Sequence, residues 1–302
     1  MELKRFPQNP IIRPHMDDRM GENINGPSLI QVPDWIEAPL AKYYLYFAHH
    51  QGAYIRLAYA DRLEGPWTTY APGTLQLEQT PARRHIASPD LHVDHENRRL
   101  MMFYHGPVDP DKATVSTTLS LQSPVLSGQR SYVATSPDGL HFTSGTEVLG
   151  SPYFRVFPWD GCIYALGMPG IFFRSRDGLT DFERGPTLYS RDMRHSAVKL
   201  DGDTLSVFYS RAHDCPEHIL LSQIELTPDW MNWQASEPVS VLKPEAACEG
   251  AGLPVLPSER GAIHEPACQL RDPAVYREGD RTYLLYSVAG ERGIGIAEII
   301  DN

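Results

Sequence analysis

Five segments of the chain open on a small or turn-forming residue and continue as a short apolar strand: Gly26-Pro27-Ser28-Leu29-Ile30, Ser88-Pro89-Asp90-Leu91, Ser151-Pro152-Tyr153-Phe154, His195-Ser196-Ala197-Val198 and Asp272-Pro273-Ala274-Val275. A repeat at this scale constrains the architecture more than any single motif, because each unit must bury its apolar faces against its neighbours. After a polar turn, each opening leads to an aromatic-rich segment of high β-propensity, at 43–48, 100–104, 162–166, 204–209 and 282–286. Turns such as Asp94-His95-Glu96-Asn97, Trp159-Asp160-Gly161, Asp201-Gly202-Asp203 and Glu278-Gly279-Asp280 suit tight hairpins. A third strand follows in every unit, and then, in the first four, a turn carrying an aromatic: Trp67, Phe142, Phe182, and Trp230 with Trp233. These aromatics are expected in the core and not as sugar platforms.

Five such units predict an all-β, five-bladed β-propeller with four antiparallel strands per blade, spanning 1–302 as a single domain. A pair of β-sandwiches also accommodates short strands and turns, but gives no reason for five matching units. The fifth unit ends after its third strand, so an N-terminal strand is expected to close the ring, with Asn9-Pro10-Ile11-Ile12-Arg13 as its expected source. The long gap before the last unit predicts, within 235–270, the fourth strand of blade four and a loop over one face. Composition agrees: 23 Gly and 26 Pro make frequent turns and discourage helix interiors.

A net charge of −11 argues against nucleic acid as a partner, since phosphate backbones require clustered Lys and Arg. The N-terminus lacks the apolar run of a signal peptide, and no stretch of 18 apolar residues occurs, so no membrane partner and a cytoplasmic location are expected. Cys162, Cys215, Cys248 and Cys268 lack metal-type spacing and are expected as reduced thiols, with a Cys248–Cys268 bridge as the alternative.

In a propeller the first strand of each blade lines the central channel, which converts scattered positions into a cluster. The openings carry Asn25, Asp90, Tyr153 with Arg155, Arg194 with His195, and Arg271 with Asp272; the second-strand ends carry His49, His50, His105, Arg211 with His213, and Glu291. His49 and His50 could instead cap a hairpin with Gln51-Gly52, and Asp90 and Asp272 could be turn residues paired with arginine. Arg56, Arg155, Arg194, Arg211 and Arg271 fall near the channel of an acidic protein, enough to hold the aspartates ionised and to grip an acidic substituent.

The Asn9-Pro10-Ile11-Ile12-Arg13-Pro14 start, Asn25-Gly26-Pro27, Ser88-Pro89-Asp90, Ile55-Arg56-Leu57-Ala58 followed by Gly65-Pro66-Trp67, and Arg271-Asp272-Pro273 together resemble glycoside hydrolase family 43 and its relatives in families 32, 68, 117 and 130. The resemblance implies hydrolysis of short oligosaccharides or glycosides, exo-acting and inverting, by an acid that protonates the leaving oxygen and a base that activates water. It implies Asp90 and Asp272 as catalytic carboxyls and His195 as acid, with His50, Glu217 and Glu291 as alternatives. Asn25, His49, His50, Arg56, His105, Arg155, Arg194, Arg211, Glu217, Arg271 and Glu291 would hold the substrate, a sugar that could be anionic. No cofactor is required, although the channel could hold a structural calcium. The chain departs from family 43 at Asn25, where the family usually has its aspartate base. A carbohydrate-binding propeller without catalysis, or a lyase or phosphorylase on the same scaffold, would account for that asparagine.

Overall fold

The computed structural model describes residues 1–120 and 128–300, so part of the stretch between the second and third strands of blade two lies outside the described residues. Five antiparallel sheets make a five-bladed β-propeller, and the first four run from an inner to an outer strand in chain order. Blade one holds Asn25–Gln31, Tyr43–Ala48, Tyr54–Ala60 and Thr68–Thr69, and blade two Ala87–Asp94, Arg99–Pro107, Gln129–Ser136 and Thr143–Ser144. Blade three holds Arg155–Trp159, Cys162–Gly167, Ile171–Ser175 and Glu183–Thr187. Blade four holds Met193–Asp201, Thr204–Arg211, Ile219–Glu225 and Val239–Leu242. Blade five combines Arg271–Glu278, Arg281–Ser287 and Ile294–Ile300 with Glu2–Arg5.

The second strands are continuous apolar runs because both of their faces are buried, one in each neighbouring seam. In Tyr43–Ala48, Tyr44, Tyr46 and Ala48 pack towards blade two, and Tyr43, Leu45 and Phe47 pack towards blade five. In Arg281–Ser287, Tyr283 and Leu285 join the blade-one seam, and Leu284 and Tyr286 join the blade-four seam. Each seam therefore has its own cluster, and the period-2 alternation of one strand serves two of them. Trp67, Phe142, Phe182, Trp230 and Trp233 are buried in these clusters, as expected of core residues.

The outermost strand of blade five differs from the one anticipated. Glu2–Arg5 pairs with Ile294–Ile300, from Glu2 opposite Ile300 to Arg5 opposite Ala297. Its polar–apolar alternation suits an edge strand, whereas Pro10 has no N–H to give to a ladder. Residues 9–12 instead lie along the start of the same strand: the Asn9 side chain exchanges two 2.9 Å hydrogen bonds with the Ile296 backbone, and Ile11 N donates to Ile294 O at 2.8 Å. Arg5 then anchors the strand by donating to buried Glu249 at 2.7 Å. All four cysteines are free, including Cys248 and Cys268. Among the described residues no helix is long and apolar enough to cross a membrane.

Three of the five inner strands, those of blades one, two and five, share one irregularity. Gly26, Ser88 and Asp272 each precede a proline, each has a positive φ (59°, 53° and 48°), and each sits where the ladder register shifts. These three positions are therefore equivalent, and so are the residues after the prolines, Ser28, Asp90 and Ala274. Asp90 is thus the counterpart of Ser28, not of Asp272. Ser28 Oγ accepts Leu91 N of the next blade at 2.9 Å, and Asp90 Oδ2 accepts Val156 N of its next blade at 2.9 Å. The Asp90 carboxylate also meets His92 Nε2 at 2.8 Å and lies 3.7 Å from Arg155 Nη1. It is a blade-to-blade clasp.

Truncating that clasp strands a buried N–H and removes the counter-charge of Arg155. Asp90→Ala is expected to lower unfolding free energy by about 2–4 kcal/mol, with Asp90→Ser recovering part of the loss, in urea or thermal unfolding. An Asp90→Ala protein as stable as wild type would remove the clasp assignment.

Candidate functional site

Where the inner strands open lies a cavity of about 190 Å³. Of the residues expected at the site, Asn25, His50, His105, Arg194, His195 and Asp272 line it. They come from blades one, two, four and five, and the connection between blades four and five adds Arg260 and Gly261, so the cavity exists only in the assembled ring.

Asp272 is the carboxylate lining the cavity among the described residues. It accepts Tyr153 Oη at 3.0 Å on Oδ1 and Ser287 Oγ at 3.2 Å on Oδ2, and His195 Nδ1 lies 3.5 Å from Oδ1. Burial, reinforced by the nearby Glu291 carboxylate, outweighs Arg194, Tyr153 and Arg271 and pushes its pKa up to about 6. Burial, with Arg194 and Arg271 adding like charge, holds His195 neutral, far below the usual histidine value. Its Nδ1 is buried and faces the aspartate without a full hydrogen bond.

A second imidazole–carboxylate pair stands nearby. His50 Nδ1 lies 3.3 Å from Glu291 Oε1, and Glu291 Oε2 accepts Asn23 Nδ2 at 2.6 Å and Asn25 Nδ2 at 3.2 Å. Burial works against ionisation of Glu291 but is outweighed by His50, Arg271 and Asn23, which hold its pKa down to about 2. Asn25, where an aspartate was the family expectation, therefore acts as a donor to Glu291. Behind the cavity, Arg194 and Arg271 pair with Glu217 at 3.3 and 3.1 Å, and Arg271 with Glu291 at 3.2 Å.

Tyr153 joins these parts. Its ring lies between His195 and His105, with centroids 5.1 and 5.9 Å away, and the Arg155 guanidinium sits 4.2 Å from its centre. Burial, then His85, pushes His105 down to about 3, so it offers hydrogen bonds without charge.

The remaining expected residues lie elsewhere. Asp90 does not line the cavity, so its position gives no support to a catalytic role; its carboxylate is taken up between blades two and three. His49 caps a hairpin, accepting Gln51 N at 2.9 Å on Nδ1. Arg56 is buried against carbonyls, with Nη1 donating to Asn23 O at 2.8 Å. Arg155 lies in the channel beneath Tyr153, donating to Ser196 O at 2.8 Å and Pro89 O at 3.0 Å. Arg211 pairs with Asp214 at 3.2 Å on the periphery. Glu217, Arg271 and Glu291 form the buried layer behind the cavity and do not line it.

Residues not anticipated as ligands also line the cavity: His85, Ser88, Gln129, Tyr153, Met168, Arg260 and Gly261. Tyr153 and Ser88 were visible as strand openings. Arg260 belongs to a long connection, and Gln129 opens the strand that follows another, and sequence does not specify the course of either connection. The Arg155 guanidinium occupies the layer beneath Tyr153, and no group of three His, Cys, Asp or Glu among the described residues has metal-site geometry.

No family model matches the chain. The fold is similar to that of a GH43_1 enzyme from Xanthomonas citri, with TM-score 0.63 at 12% identity over 98% of this chain and 93% of the other. It is also similar to a protein described with the GH130 family of mannoside phosphorylases and glycoside hydrolases, with TM-score 0.65 at 12% identity over 98% and 93%. At such identity the likeness is one of fold. A sequence relationship goes further: at 35% identity, covering 98% of this chain and 89% of the other, the chain belongs to the same family as Uncharacterized protein R118 of Acanthamoeba polyphaga mimivirus.

Proposed function

We propose that the chain is a carbohydrate-active enzyme, an exo-acting glycoside hydrolase that works with inversion. The observation that carries this reading is that two carboxylate-backed imidazoles, His195 with Asp272 and His50 with Glu291, converge on one cavity. At about 190 Å³ the cavity is smaller than the roughly 300–1,000 Å³ of drug-sized sites, which suits a single terminal sugar ring. Structural neighbours include GH43 enzymes complexed with xylose and xylotriose, which supports a carbohydrate as the occupant.

Hydrolysis needs a base for water and an acid for the leaving oxygen. Neutral His195, with Nδ1–H directed at Asp272, leaves Nε2 as an acceptor for a water proton, and Asp272 balances the charge that forms on the ring. The water oxygen attacks the anomeric carbon, the glycosidic C–O bond breaks, and His50 gives its proton to the departing oxygen, with Glu291 holding the ring. The 3.5 Å separation of His195 and Asp272 is of the kind that tightens when substrate arrives. Tyr153 keeps Asp272 oriented, and His105 and Asn25 receive hydroxyls. A sugar-binding propeller without catalysis is the second reading, favoured by the presence of Asp272 as the lone carboxylate lining the cavity among the described residues.

A panel of aryl glycosides and short oligosaccharides, assayed with and without phosphate, separates these readings. Turnover without phosphate is expected, with kcat falling about 10²–10⁴-fold in Asp272→Asn, His195→Ala and His50→Gln and KM changing little. NMR of the first-formed anomer is expected to show inversion. Undiminished turnover in these variants would refute the assignment, and binding without turnover would favour the second reading.

Asp272 also links the site to stability. Because its folded pKa is raised to about 6, the folded protein binds this proton more readily than the unfolded chain. Stability from this group therefore falls as pH rises from the ordinary aspartate value towards 6, and neutral pH carries the full cost. Asp272→Asn is expected to melt roughly 2–6 °C above wild type at pH 7.5, with the gap closing near pH 4. A melting temperature at pH 7.5 no higher than that of wild type would contradict the strained carboxylate.

A further inference from the structure

The cavity wall at residues 259–261 is held by the buried charges behind it. Arg194 donates to Glu259 O at 2.9 Å through Nη1 and to Gly261 O at 3.1 Å through Nη2, and Arg271 Nη1 donates to Gly261 O at 3.2 Å. The two arginines are balanced by Glu217 and Glu291, and all four side chains are buried. This network is internally neutral, and part of its donor capacity is spent fixing the carbonyls on either side of residue 260. Buried charges are commonly retained where they hold geometry, and the geometry held here is that of one exposed residue.

That residue is Arg260, whose side chain lines the cavity and remains 44% exposed. Its guanidinium touches the Arg191 carbonyl and lies 4.0 Å from Asp192, a carboxylate itself 53% exposed and also 4.0 Å from His213. An ion pair so long and so exposed holds little energy. The other charges at the cavity are committed: Arg194 to Glu217, His50 to Glu291, and Asp272 to Tyr153, Ser287 and His195. Burial keeps His85, His105 and His195 shifted towards their neutral forms, so these rings supply hydrogen bonds in place of charge. Among the described residues lining the cavity, Arg260 is the cation available to an occupant.

We propose that the sugar bound in this cavity carries an anionic substituent, a carboxylate or a sulfate, and that Arg260 binds it. The inference rests on the carbohydrate reading of the same cavity. A guanidinium fork matches either group with two parallel hydrogen bonds. It also offsets the repulsion that a protein of net charge −11 would otherwise exert on an acidic sugar.

Isothermal titration of Asp272→Asn, which keeps the cavity without consuming ligand, tests this with the methyl glycosides of D-glucuronate and D-galacturonate, with D-galactose 6-sulfate, and with their neutral parents. At least one acidic sugar is expected to bind tenfold or more tightly than its parent, less so at high salt. Adding Arg260→Gln should erase the difference, and Arg260→Lys should retain part of it; the uronate and sulfate arms identify the group. Neutral parents binding as tightly, acidic sugars unaffected by Arg260→Gln, or inorganic phosphate binding as tightly as the acidic sugars would each overturn the proposal. If neutral glycosides are hydrolysed and acidic ones are neither bound nor turned over, the hydrolase reading stands and this one falls. If no sugar of either kind binds, both fall.

Discussion

A closed ring of sheets leaves a polar side chain on an inner strand nowhere to go except against another inner strand. Seams on both sides of every blade are filled by Leu, Tyr, Phe and Ile, so the channel is where charge collects, and charge that collects out of water must be paired. The channel meets this constraint in two layers. The lower one joins Asp90, His92 and Arg155 and holds blades two and three together. The upper one joins Asp272, His195 and Tyr153 and opens to the cavity. Tyr153 stands between them, with its hydroxyl on Asp272 and its ring over Arg155.

The two aspartates receive opposite treatment from this arrangement. Asp90 is met by an imidazole, a guanidinium and a backbone amide, and these outweigh its burial and lower its pKa. Asp272 is buried with hydroxyl donors and a neighbouring carboxylate, and its pKa rises. Asp272 is therefore the costlier of the two to ionise. The same division separates Glu291, locked by His50, Asn23 and Arg271, from the aspartate it destabilises. Environment, and not residue type, sets how readily each carboxyl ionises.

Much of the fold was legible from the chain alone. Strand positions, turns and the buried aromatics follow from period-2 patterning and β-propensity, and both are local. The second strands could be located because being buried on two faces leaves an unbroken apolar run. The source of the last outer strand was harder, because residues 2–5 and 9–13 are both short and plausible; the missing N–H of Pro10 distinguishes them only once a partner strand is in place. Asp90 and Asp272 looked alike because each adjoins a proline. One follows it and the other precedes it, and at the shifted register that difference moves the side chain from the seam to the cavity.

The sequence by itself determined the five-unit repeat, the concentration of histidine and arginine at strand openings, and the presence of an asparagine at the first opening. These are matters of spacing and residue type along the chain. Tertiary structure alone decided that Asp272 and His195 pair across blades five and four, that His49 caps a turn while His50 faces the cavity, and that a loop far along the chain delivers Arg260 to its wall. Each of these depends on distances between segments that are remote in sequence. Those distances are set by ring closure and by the blade-to-blade clasps, and no local pattern encodes them.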